Sequence, residues 1–155
     1  SIWMVSHQLP GLLVEGRDPL GLSAGVTVVV HAVRRQAAGL DRRPGGRGDG
    51  RNMEMLEGLR NAELLPGWYE DWVTVEQERW NQLRLTALER LAGRFLEQGE
   101  TGQAVEAAAS AIAIEPLRES AQRLLLEAHL AEGNYAQALR NYEAFSSRLW
   151  DEFGV

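Results

Sequence analysis

The chain has 155 residues, 45% of them apolar, with a net charge of −6 and no cysteine. That length suits one domain, or one domain plus a fragment of another, and the missing cysteine excludes disulfides and thiolate metal sites. No apolar run approaches the ~18 residues that span a bilayer, and the start has no signal-peptide pattern, so a cytoplasmic protein without a membrane partner is expected.

Ser1–His7 reads as the end of a helix, stopped by Pro10-Gly11. Leu12–Val14, a turn at Gly16–Pro19 and Leu20–Leu22 read as a short N-terminal β-hairpin. Val26–Val30 is β-branched and reads as a third short strand before a helix near His31–Ala38. Gly39–Arg51 is rich in Gly and Arg, contains Pro44 and reads as a flexible loop. Residues 1–51 hold seven Arg against four acids (+3), whereas residues 52–155 hold nine against eighteen (−9). Arg34, Arg35, Arg42 and Arg43 are therefore the candidates for weak contacts to a DNA backbone. The acidic remainder suits protein contact or solubility better than phosphate contact.

Asn52–Leu64 reads as a short amphipathic helix with Met55, Leu56, Leu59 and Ala62 on one side. Glu63–Glu78 follows, with Trp68, Tyr69 and Trp72 behind a Pro66-Gly67 turn signal. Each ring offers roughly 150–250 Å² to bury, so the three are expected to wedge between two apolar surfaces, with Trp80 as a fourth anchor. An aromatic ligand box is the alternative. Thr74 and Gln77 form a capping-box pattern at the start of a long helix.

From there the chain repeats. Gly99 recurs as Gly133, Ala104 as Ala138 and Leu91 as Leu125, an offset of 34 residues. That is the tetratricopeptide period. Apolar residues at Trp80, Leu83, Ala87, Leu88, Leu91, Ala92 and Phe95 advance by threes and fours, as one helical stripe does. Ala104, Ala108 and Ala111 form a second stripe, and Ala121, Leu124, Leu125 and Ala128 a third. The fourth runs through Tyr135, Ala138, Leu139, Tyr142, Phe145 and Leu149. Pro116 is expected at the first position of a helix, and Asn134 as an N-cap. The expected fold is mainly α: tetratricopeptide-like antiparallel helix hairpins in a right-handed stack, with the short β-hairpin at the N-terminus. Leu149, Trp150 and Phe153 follow the last stripe and form a candidate interaction surface, most simply in a homodimer.

No catalytic, cofactor-binding or metal-binding set emerges. His7, His31 and His129 stand in unrelated contexts, and no His-Glu-x-x-His or Gly-x-Ser-x-Gly pattern occurs. An enzyme is not expected, and no cofactor is. His129 falls in phase with Phe95 and reads as a packing residue.

The run Leu65-Pro66-Gly67-Trp68-Tyr69-Glu70-Asp71-Trp72, followed by the repeats, resembles the bacterial transcriptional activator domain of antibiotic regulatory proteins, the SARP type. The resemblance is clear over residues 63–155 and weaker over 1–38. There Ile2-Trp3 matches the Leu-Trp pair that ends the family's recognition helix. Met4, Val5, Ser6 and His7 replace its basic residues, and Val29 stands where the family has Asp. The resemblance implies three parts: a C-terminal remnant of a winged-helix DNA-binding domain over 1–38, the Arg/Gly loop over 39–51, and a helical-repeat activator domain over 52–155. It implies self-association and contact with transcription machinery, RNA polymerase or a sigma factor, and promoter DNA binding only in the context of a complete winged helix. A tetratricopeptide-type adaptor with no DNA role is the alternative.

Overall fold

The computed structural model describes Val14, residues 29–39 and residues 50–154. The chain divides into two units, Ser1–Ala32 and Val33–Val155. The expected β-hairpin and the first helix turns lie outside the described residues, Val14 apart. The described residues form six helices: α1 (Val29–Gly39), α2 (Gly50–Arg60), α3 (Asp71–Gln98), α4 (Thr101–Ile114), α5 (Glu119–Ala131) and α6 (Tyr135–Phe153). Val29 and Val30 open α1 and are not strand residues. Strand propensity is a weak preference for a pleated, half-buried surface, and here the helix overrides it.

Helix α2 buries Met55, Leu56 and Leu59, the spacing that puts three side chains on one face. Ala62 is buried just beyond it. The next helix, α3, is 28 residues long, about 42 Å at 1.5 Å per residue. Its buried stripe is Val73, Trp80, Leu85, Ala87, Leu88, Leu91, Ala92 and Phe95. The long stripe lets α3 pack against α2 in its first half and against α4 and α5 further along.

Helix α3 also carries polar groups that hold the connection between itself and α2. Arg84 is buried, and its Nε donates to Leu59 O at 2.9 Å and its Nη2 to Arg60 O at 3.0 Å. Trp80, 2% exposed, donates its indole N–H to Ala62 O. Gln77 Nε2 donates to Leu64 O at 2.9 Å and Leu65 O at 3.1 Å. Thus Gln77 does not complete a capping box. α3 starts at Asp71, before Thr74, and the Gln77 amide is spent on the incoming connection instead. The last carbonyls of a helix have no partner within it, and a guanidinium at that end also meets the negative pole of its dipole. Burial lowers the Arg84 pKa, an effect partly offset by the Glu63 charge.

The hairpin turns repeat as the period requires. Gly99 (φ 76°) and Gly133 (φ 75°) both adopt the left-handed conformation that only glycine takes freely. Gly99 N–H donates to Leu96 O and Glu100 N–H to Phe95 O, and Gly133 N–H donates to Leu130 O and Asn134 N–H to His129 O. These paired bonds are a Schellman closure. Asn134 then caps α6, its side chain accepting from Gln137 N–H.

Helix α4 buries only alanines, Ala104, Ala107, Ala108 and Ala111, so its neighbours α3 and α5 approach closely. In α5, Ala121, Leu125 and Ala128 are buried, while Leu124 is half-buried. Pro116 lies in the turn before α5, which begins at Glu119; its carbonyl accepts from Gln122 Nε2 at 3.0 Å. The start of α5 is clamped to α3 by Glu89. That carboxylate accepts from Arg118 Nε at 2.9 Å and Nη2 at 3.2 Å, and from the Ser120 hydroxyl. Burial pushes the Glu89 pKa up, but these hydrogen bonds and the Arg118 charge outweigh it and hold the carboxyl below its ordinary range.

Two outcomes follow from this packing. Trp80→Ala should cost about 3–5 kcal/mol in urea denaturation, since it opens a cavity and leaves the Ala62 carbonyl without its donor. Glu89→Gln should cost about 1–3 kcal/mol at neutral pH. Because the folded pKa of Glu89 is depressed, its contribution is full above the unfolded value near ~4.3 and lost as pH falls below that. The stability difference between wild type and Glu89→Gln should therefore shrink on acidification.

Candidate functional site

Among the described residues no group of His, Cys, Asp and Glu could hold a metal ion, and no helix is long and apolar enough to cross a membrane. His129 is buried at the end of α5, with Nδ1 3.5 Å from Glu132. What the chain offers is surface.

The aromatic run departs from the expected wedge. Trp68 is 51% exposed, Tyr69 88% and Trp72 60%; of the four expected anchors only Trp80 is buried. The reason is geometric. Gln77, Trp80 and Val73 face α2 and the connection, which leaves Trp72 and Val75 on the opposite side of the first turns of α3. Leu65 (φ 46°) and Gly67 (φ 82°) turn the backbone outward, and Trp68 N–H donates back to Leu65 O at 3.2 Å. An open, shallow depression is lined by Gly67, Trp68, Tyr69 and Glu70. Behind the turn lies a larger groove of about 810 Å³, with Leu64 and Pro66 on one wall and Val105, Ala109 and Ile114 of α4 on the other. Arg60 bridges to Glu106 at 3.4 Å across it.

The second surface is α6. Of its apolar stripe only Ala138 is buried; Phe145 and Leu149 are half-buried. Tyr135, Leu139 and Tyr142 are exposed, as are Trp150 (65%) and Phe153 (63%). Helix α6 packs against α5 and no other described helix, so one flank of the stripe has no cover among the described residues. Tyr135, Leu139, Tyr142, Trp150 and Phe153 share that flank by their spacing of threes, fours and multiples. The amphipathic pattern places Tyr135, Leu139 and Tyr142 on a core face, whereas Trp150 and Phe153 are expected as a surface. Sequence period locates a stripe, but not how much of it a neighbour covers.

Of the arginine candidates, Arg34 and Arg35 are exposed on α1, and Arg42 and Arg43 lie outside the described residues. Arg34 lines a cavity of about 450 Å³ with Ala37, Ala38 and α3 residues Leu83, Thr86 and Arg90.

An exposed ring contributes little to folding. Trp72→Ala should leave helicity unchanged and shift stability by less than about 1 kcal/mol in thermal denaturation. A loss of 3 kcal/mol would return the ring to the core.

Residues 50–155 match the family described as bacterial transcriptional activator domain. Over 97 residues the chain is 33% identical to the regulatory protein AfsR of Streptomyces coelicolor, a stretch that covers 63% of this chain and 10% of that relative. The chain thus spans about a tenth of the length of the curated relative it matches. A mainly helical domain among the described residues fits that match. The chain belongs to the bacterial transcriptional activator domain family and is a SARP-like transcription regulator domain, from a family of regulators and not of enzymes.

Proposed function

We propose that this chain is the protein-contact part of a SARP-like transcription activator, acting by self-association and by contact with RNA polymerase or a sigma factor. The observation that carries this reading is the bare flank of α6. A row of exposed aromatic and apolar side chains marks an interaction site, and Trp and Tyr are the residues that most often dominate such contacts. Residues 52–155 would be the helical-repeat activator domain, a tetratricopeptide-like right-handed stack. The identical closures at Gly99 and Gly133 support the repeat. Residues 1–38 would be the tail of a winged helix and 39–51 a loop; promoter binding would need the complete winged helix. The acidic balance of residues 52–155 supports assigning DNA contact elsewhere than to the stack. The whole would work in the cytoplasm.

Self-association would most simply be two-fold, with the same flank on both copies. The chain should then sediment as a dimer at micromolar concentration. Trp150→Glu with Phe153→Glu should give a soluble monomer with unchanged helicity, because both rings are exposed. A parent chain that stays monomeric at high micromolar concentration rules out the dimer, and a double variant that unfolds assigns the rings to the core.

A further inference from the structure

A second surface, independent of α6, lies at the turn that leads into α3. We propose that this turn is a docking platform for an arginine-bearing segment of a partner protein. Three large rings, Trp68, Tyr69 and Trp72, stand exposed within five residues of one another. Their backbone is not loose. The carbonyls of Ala62, Leu64 and Leu65 are held by Trp80 and Gln77, and Trp68 N–H closes on Leu65 O. A backbone held in place before binding loses little freedom when a partner arrives.

Charge selects the partner. Between Arg60 and Arg79 the sequence has five carboxylates, Glu63, Glu70, Asp71, Glu76 and Glu78; Glu63 faces Arg84, and Glu70 and Asp71 stand next to the rings. Glu76 is paired with Arg79 at 2.6 Å, while Glu70 itself lines the depression beside Trp68 and Tyr69. Such a surface repels phosphate and acidic peptides. It suits a group that is cationic, planar and weakly hydrated, able to lie on an indole face while its N–H groups reach a carboxylate. The guanidinium has those properties; the ammonium of lysine is compact and strongly hydrated. Gly67, Trp68, Tyr69 and Glu70 line an open, shallow depression on which such a side chain end can lie.

The test is fluorescence anisotropy of labelled nonapeptides with the full chain: one of arginine, one of lysine and one rich in proline. The arginine peptide should bind, at least about five-fold more tightly than the lysine peptide. Trp68→Ala with Trp72→Ala should weaken it about ten-fold, and circular dichroism should show the fold intact. Glu70→Gln with Asp71→Asn, both on the surface, should weaken it as well and flatten its salt dependence. Failure of the arginine peptide to bind at millimolar concentration overturns the proposal. So does equal binding of the lysine peptide, tighter binding of the proline-rich one, or binding untouched by the double tryptophan variant. None of these outcomes bears on the dimer through α6.

Discussion

The architecture depends on one set of contacts: Gln77, Trp80 and Arg84 of α3 supply donors to the carbonyls of residues 59, 60, 62, 64 and 65. A chain that leaves a helix against another helix strands its last carbonyls, and burying them unpaired costs ~1–3 kcal/mol each. Three side chains spaced three and four apart on α3 meet them in order. The indole does so while filling the core, and the guanidinium does so at the negative end of α2. With its inner carbonyls satisfied, the connection can run tight against α3, and its side chains are forced to the other side. Exposure of Trp68 and Tyr69 is the consequence, while Trp72 is exposed because it lies on the side of the first turn of α3 away from Val73, Gln77 and Trp80.

Downstream, the same helix serves as the base of the stack. Small residues on α4 allow close approach, and Glu89 ties the start of α5 to the middle of α3 through Arg118 and Ser120. This clamp is part-buried and hydrogen-bonded on both carboxylate oxygens, unlike the exposed pairs such as Arg123–Glu127, which contribute little. Each hairpin then closes through a glycine, and the cap at Asn134 launches α6. There the layering ends among the described residues, with α6 seated on α5 alone.

Two aromatic surfaces are exposed among the described residues: one at the start of α3, the other along α6. The first is acidic and rich in rings, the second apolar along a helix.

Much of this was legible in the sequence. The later helices, the glycine turns 34 residues apart, most of the core stripe of α3 (Leu83, half-buried, excepted), the alanine face of α4 and the cap at Asn134 all arise from spacing and local backbone preference, which a sequence states directly. The resemblance carried in Leu65–Trp72 also pointed to the regulator family. What tertiary structure decided was burial and hydrogen-bond partnership. A tryptophan has the same surface to bury at position 72 as at position 80, yet only the latter faces α2. Gln77 has the same donors in a capping box as in a staple, and Arg84 looks like any surface arginine until the carbonyls of Leu59 and Arg60 are placed beside it. Pro116 fits a first helical turn equally well as the turn before it. The stripe of α6 repeats that of a core helix, but a stripe becomes core only where a neighbour covers it, and that depends on residues far away in the chain.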